Sequence, residues 1–181
     1  MAFKDKALKR LAERLNRAGI PYTVGAGWLL TVRGVTDSFH DFDVLVPYES
    51  AEEADRVLSR LGMRGEVRQG EKTFRASYHF DGADIDLCAG MDLGNGLYAA
   101  ISRDSAEREI PILGVPVRAG FLEDWYVWYS LFGRDRKVEL LARYFAEHPP
   151  EHPERFAACV DGPLPEAVAK AVESLPRKQS T

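Results

Sequence analysis

The sequence is short of cysteine and methionine, with two of one and three of the other, and it has no long apolar run. Each shortage excludes something. Cys88 and Cys159 lie far apart and match no zinc or redox spacing. Cys88 sits in an apolar strand context and reads as a buried free thiol, so a reducing, cytoplasmic compartment is the default expectation. No segment reaches the length that crosses a bilayer, and the start of the chain reads as an amphipathic helix rather than a secretory signal, which removes the membrane as a partner. A basic excess is also missing. Twenty-four Lys and Arg stand against 28 Asp and Glu, for a net charge of −4, so nothing global points to nucleic acid and only a local basic groove stays open. No repeat of solenoid length occurs.

What is present fits one domain, or one domain with a small helical appendage, in 181 residues. Residues 4–18 carry Leu8, Leu11 and Leu15 on one stripe with Lys and Arg elsewhere, which predicts a helix. Residues 49–61 predict a second, with Ser50 and Glu53 spaced as a capping box. Strands are expected at 63–67, 72–80 and 83–89, the last two joined by the hairpin signal Asp81-Gly82. Residues 90–104 read as a polar loop with a short helix. A hairpin follows over 107–113 and 115–118, with Pro111 and Pro116 marking edge-like strands. Composition shifts at Gly120. Beyond it, an aromatic helix over 121–132 and further helices over 134–147, 154–160 and 165–175 are expected, then a frayed tail at 177–181. The aromatics of 121–132 read as packing residues, and His40, His148 and His152 as loop histidines. The fold class is therefore α+β: a mixed sheet flanked by helices in residues 1–120, and a helical C-terminal third in residues 121–181 packed on it.

Residues 24–46 organise the chain. A short apolar strand over 20–24 runs into the turn Gly25-Ala26-Gly27. Trp28, Leu29, Leu30 and Val32 then suggest one or two helical turns ended by Gly34. After a polar loop comes Asp41-Phe42-Asp43-Val44-Leu45-Val46, an apolar strand with two carboxylates at its start. Residues two apart on a strand share a face. Like charges about 4 Å apart at an effective dielectric near 20 cost roughly 4 kcal/mol, so the pair must be solvated, protonated, paired or metal-bound. Oxygen ligands alone favour a hard ion such as Mg²⁺. A second Asp-x-Asp, Asp84 and Asp86, lies on the strand over 83–89. If the two strands are neighbours, up to four carboxylates converge at a spacing suited to shared ligation.

Val24-Gly25-Ala26, Leu29, Gly34 and Asp41-Phe42-Asp43-Val44 resemble the signature of the DNA polymerase β superfamily of nucleotidyltransferases. Within it they look like the small branch that includes abortive-infection-type and lincosamide-type nucleotidyltransferases. In that branch a later Ile-Asp-Leu supplies a third carboxylate, and Ile85-Asp86-Leu87 matches it, which favours Asp86 over Asp84. Glu123-Asp124 and the basic stretch Arg134 to Lys137 look similar to a later motif. The likeness spans roughly residues 20–140. It departs at Ala26, where the family has Gly or Ser, and near Tyr129, where a lysine is usual.

The resemblance implies a nucleotidyltransferase-like core. In it Asp41, Asp43 and Asp86 act as catalytic residues and as ligands of Mg²⁺, or of Mn²⁺. Gly25, Ala26 and Gly27, with Thr36, Ser38 and Lys137, would contact the nucleotide. The implied substrates are an NTP and an acceptor hydroxyl on a small molecule, a tRNA or a protein. The departures at Ala26 and Tyr129 support a second reading, a nucleotide-binding or regulatory module with the chemistry lost. A dinucleotide-binding turn is disfavoured, because the third glycine of that fingerprint would fall at Leu30.

Overall fold

The computed structural model describes residues 2–177, so most of the tail expected to fray at 177–181 lies outside the described residues. Helix α1 (Ala2–Ala18) buries Leu8, Leu11 and Leu15 completely, the stripe that the spacing predicts. Strand β1 (Thr23–Val24) is shorter than the apolar run before it, since Pro21 has no N–H for a ladder and pairing begins at Thr23. Helix α2 (Ala26–Val32) and strand β2 (Phe42–Leu45) follow. A 3₁₀ turn (Tyr48–Ser50) leads into α3 (Ala51–Leu58). Ser50 precedes α3 as expected but makes no capping bond. Its backbone, at φ −96° and ψ −3°, is already helical, whereas a capping side chain needs an extended residue.

Strands β3 (Met63–Gln69), β4 (Phe74–Phe80) and β5 (Ala83–Ala89) form an antiparallel meander. Asp81 and Gly82 both have positive φ, +50° and +73°, the geometry of a two-residue hairpin turn. That turn fixes the β4–β5 register, with Phe80 opposite Ala83 and Ser77 opposite Asp86. Residues 90–104 hold no helix. They carry instead a small hairpin of β6 (Asp92–Gly94) and β7 (Leu97–Tyr98), turning where Asn95 and Gly96 both take positive φ. Strands β8 (Arg108–Ile112) and β9 (Val115–Ala119) form the expected hairpin, with Pro111 opposite Pro116 and β8 at the sheet edge. The C-terminal helices are α4 (Leu122–Leu131), α5 (Asp135–Glu147), α6 (Arg155–Ala158) and α7 (Glu166–Glu173).

Seven strands make one mixed sheet in the order β3-β4-β5-β2-β1-β9-β8, with β2/β5 and β1/β9 parallel. Along β4 and β5 the side chains alternate. Phe74, Ala76, Tyr78, Ile85 and Leu87 face the core, where α1 and α3 pack. Asp84, Asp86, Arg75 and Ser77 alternate with them and face the other way. Helix α4 is buried on nearly every side, from Leu122 to Tyr129. Its Trp128 Nε1–H donates to the Cys159 carbonyl at 2.9 Å. Cys88 and Cys159 are both free and buried, as expected for Cys88. Among the described residues, no helix is long and apolar enough to cross a membrane.

Charge as well as apolar packing fastens the C-terminal segment. The Glu107 side chain is 3 % exposed and accepts from both Arg33 and Arg108, while Glu151 and His152 lie beside it. Replacing one member of such a network strands the others. Glu107→Gln is expected to cost roughly 3 kcal/mol in urea unfolding. Glu166→Gln, which breaks only an exposed helical pair with Lys170, should leave the midpoint where it was. Equal effects from the two would show that the Glu107 network adds nothing.

Candidate functional site

Three segments meet at one end of the sheet. Because β1 and β2 are antiparallel, the exit of β1 lies beside the entry of β2: Val24 pairs with Val44, and the Gly25 N–H donates to the Asp43 carbonyl at 2.9 Å. Because β2 and β5 are parallel, Asp43 stands in register with Asp86. Register partners in neighbouring strands project to the same face, with strands about 4.8 Å apart. Asp41 precedes β2 by one residue, and its charge is felt at Asp43. Asp84 does not join them. It is exposed and bonded to His79 Nδ1 at 2.7 Å. Of the second Asp-x-Asp pair, Asp86 is thus the neighbour of Asp43.

The electrostatics follow from that juxtaposition. Burial, then the charges of Asp41 and Asp86, push the Asp43 carboxyl from 3.8 up to about 7, and Arg75 partly opposes them. Arg75 comes from β4, where its register partner is Cys88, and its guanidinium Nη2 donates to Asp86. Cys88 lies two residues beyond Asp86; its thiol is pushed up to about 12, by burial first and then by Asp43. From α4, Tyr129 feels the same field: burial and the charges of Asp43 and Asp41 raise its phenol, and Arg134 lowers it.

The turn after β1 is held from two sides. A Cβ on Gly25 would run into the Trp125 indole of α4, so only glycine fits beneath that ring. Ala26 sits at φ +45°, the left-handed region that alanine rarely adopts and that costs about 1–2 kcal/mol. The first helical bond of α2 runs from the Leu29 N–H to the Gly25 carbonyl, so the N–H groups of Ala26, Gly27 and Trp28 precede the ladder. A Cβ on Gly27 would stand 3.1 Å from Phe39, which brings the 36–40 loop against the turn. Thr36 Oγ1 bonds Thr31 Oγ1 at 3.2 Å and is half-buried, whereas Ser38 is exposed. Lys137 lies in the first turn of α5, at the far side of the α4–α5 turn from Tyr129, and the basic group felt at Tyr129 is Arg134.

Three contributors escaped the sequence reading, Arg75, Trp125 as the lid of Gly25, and Lys4, whereas Arg134 stands at the start of the basic stretch Arg134 to Lys137 that the sequence marks. Lys4 Nζ donates to the Phe39 and His40 carbonyls at 3.1 and 2.7 Å and lies 4.7 Å above the Phe39 ring, which pins the loop before Asp41. Arg75 was within reach of sequence alone, because the Asp81-Gly82 turn dictates a register that puts it diagonal to Asp86. Lys4 and Trp125 carried no local signal.

The chemistry of the aspartate set suits a hard cation: the three groups offer only carboxylate oxygen, and Arg75 relieves their mutual repulsion only in part, since the Asp43 carboxyl still sits well above its usual range. Among the described residues, the three His or acidic groups whose ligand atoms lie within 4.8 Å of one another are Glu107, Glu151 and His152. That other cluster is already neutralised by Arg33 and Arg108, so it is an ion-pair network. The aspartates are spread more widely and less neutralised.

No protein-family model matches the sequence, and no curated protein matches it. Solved structures do resemble the fold. A Thermotoga maritima protein assigned as a nucleotidyltransferase superposes with a TM-score of 0.57 over 78% of this chain and 92% of its own, at 20% identity. The structure of ANT(2″)-Ia in complex with adenylyl-2″-tobramycin matches with a TM-score of 0.56 over 94% of this chain and 97% of its own, at 17% identity. The chain therefore has a nucleotidyltransferase fold.

Two outcomes follow from the site's geometry. With divalent ions chelated, Asp43 is protonated in both folded and unfolded chains at low pH, so its contribution to stability is fully present below about pH 4 and is lost as pH rises through about 7. Asp43→Asn should thus gain on the parent protein as pH rises from 4 to 8, by on the order of 2–4 kcal/mol. Urea unfolding across that range checks it; a difference independent of pH contradicts it. Gly25→Ala should lose about 1–3 kcal/mol through the forced shift of Trp125, read by denaturant midpoint and by tryptophan fluorescence; an unchanged midpoint would place Trp125 elsewhere.

Proposed function

We propose that the protein is a nucleotidyltransferase that moves an NMP from an NTP onto an acceptor hydroxyl. The observation that carries this reading is the register of Asp43 with Asp86, with Asp41 close ahead and the Gly25–Gly27 turn at the same sheet end. Asp41, Asp43 and Asp86 would hold Mg²⁺, or Mn²⁺, which supplies positive charge to the triphosphate and lowers the pKa of a coordinated oxygen. The likeness to ANT(2″)-Ia, captured with an adenylylated antibiotic, supports NMP transfer as the reaction class and a small molecule among the acceptors, beside a tRNA end or a protein side chain.

The chain's own groups divide the work. The N–H groups of Ala26, Gly27 and Trp28 point a cluster of donors at the nucleotide phosphates. Thr36 and Ser38 lie on the adjoining loop, and Arg134, with Lys137 on the helix after it, supplies positive charge on the α5 side. Asp86, whose side chain is 18 % exposed beside an open groove, takes the proton of the acceptor hydroxyl. The hydroxyl oxygen bonds to the α-phosphorus, the bond to the β-phosphate oxygen breaks, and pyrophosphate leaves. Tyr129 stands near Asp43 and Asp41, where the phenol is held neutral. The C-terminal helices, within residues 121–177, form a segment packed on the core of residues 1–120, with Trp125 and Tyr129 as its contribution to the site.

Incubation with Mg²⁺, each NTP and candidate acceptors should release pyrophosphate, and Asp43→Asn should lower the rate by at least about 10³-fold. Equal rates in variant and parent would remove the aspartates from the chemistry. Mg²⁺-dependent NTP binding without pyrophosphate release from any acceptor would favour the nucleotide-binding module that the left-handed Ala26 also fits.

A further inference from the structure

One cation already sits inside the carboxylate cluster. Arg75 donates to Asp86, and its charge reaches Asp43 as well. Asp86 is largely buried, 18 % exposed, but Arg75 is 59 % exposed, so the guanidinium is free to turn away without breaking the core. Beside the pair lies a groove of about 210 Å³, well above the roughly 30 Å³ share of one liquid water, lined by Glu66, Arg68, Arg75, Ser77 and Asp86. Within it, Arg68 is held on Glu66 by two bonds of 2.8 and 3.1 Å, and Ser77 stands directly opposite Asp86 in the β4–β5 register.

A guanidinium and a divalent ion compete for the same carboxylate oxygens. When an ion takes Asp86, Arg75 loses that partner at the mouth of a groove that holds a hydroxyl, Ser77, and a second guanidinium, Arg68, whose charge the Glu66 carboxylate offsets, so Arg75 brings the uncompensated positive charge. A planar fork of N–H donors is matched by the oxygens of a phosphate.

We propose that Arg75 is a placeholder cation, which holds Asp86 while the site lacks a divalent ion and turns into the adjoining groove to bind a phosphate-class oxyanion of a substrate once the ion engages Asp86. This rests on the nucleotidyltransferase reading, since it assumes that a divalent ion engages Asp86. It makes ion and oxyanion bind with positive coupling, which linkage requires to be reciprocal. The oxyanion belongs either to the nucleotide or to the acceptor.

The test is calorimetry on the full chain with Mn²⁺ and inorganic phosphate as probes. In the parent protein phosphate should bind about tenfold more tightly with Mn²⁺ present than with chelator. Arg75→Ala should bind Mn²⁺ alone about tenfold more tightly than the parent, and the coupling to phosphate should vanish. Arg68→Ala, whose guanidinium rests on Glu66, should weaken phosphate but leave Mn²⁺ affinity at the parent's value. Both side chains are exposed, and unchanged thermal midpoints would confirm that the variants fold. A non-hydrolysable NTP with Mg²⁺ separates the two sources: phosphate competes with it if the oxyanion is the nucleotide's own, and binds on top of it if it belongs to the acceptor. The proposal is overturned if Arg75→Ala leaves Mn²⁺ affinity unchanged or weaker, or if Arg68→Ala tightens Mn²⁺ as much, which would make the effect one of general charge. In either case the nucleotidyltransferase reading stands as long as the parent binds Mn²⁺ and Asp43→Asn does not. A parent that binds no divalent ion takes both down together.

Discussion

Asp43 and Asp86 repel each other across a parallel strand pair, and most of what is distinctive in this molecule can be traced to that repulsion. The sheet order places β2 between β1 and β5, so one carboxylate faces the turn that leaves β1 and the other faces an open groove. The apolar faces of the same strands lock this arrangement. Phe42, Val44, Ile85 and Leu87 are fully buried, and a one-residue slip would turn them to the aspartate face and the aspartates into the core. The fold thus uses hydrophobic register to hold two like charges where neither would settle alone. Asp41 adds to the charge, and Arg75 is the partial remedy that the chain itself supplies.

Around that pair, the C-terminal helices act as a wall rather than as an independent body. Trp125 lies on Gly25, Tyr129 feels the charges of Asp43 and Asp41, and one continuous buried cluster runs from α1 to Leu175. Glu123 and Asp124, at the first turn of α4, are buried and spent on anchoring: Glu123 accepts from the His152 N–H at 3.0 Å, and Asp124 accepts two bonds from Arg155 at 2.9 and 2.5 Å. The wall is fixed by charge as well as by packing, and it can therefore hold an aromatic ring against a backbone turn without drifting.

Much of this was legible in the residues, for identifiable reasons. Period-two alternation in β4 and β5, and the left-handed Asp81-Gly82 turn between them, depend on local chemistry and emerged as written. The two Asp-x-Asp strands were visible too, but their adjacency was not, because a parallel pairing of β2 with β5 joins segments 43 residues apart with no local turn to announce it. The capping box at Ser50 failed because a 3₁₀ turn had already bent the backbone. The helix expected in 90–104 gave way to a hairpin, since Asn95-Gly96 carries a turn signal that outweighs a weak helical one. Lys4 and Trp125 escaped because each reaches the site from a distant part of the chain, and only packing reveals what such a residue touches.

Asp43 is buried among the like charges of Asp41 and Asp86, an excess of negative charge that a bound divalent ion would relieve, and carboxyl-selective ¹³C NMR reads that state directly. Without divalent ions, one aspartate should titrate near 7, and that resonance should be lost in Asp43→Asn. On adding Mg²⁺, the same carboxyl should stay ionised down to the ordinary aspartate range, near 4. If the resonance that Asp43→Asn removes titrates near 4 with or without Mg²⁺, while buried Asp124, pushed up to about 6 beside Arg155, stays where it was, the carboxylates do not share a site.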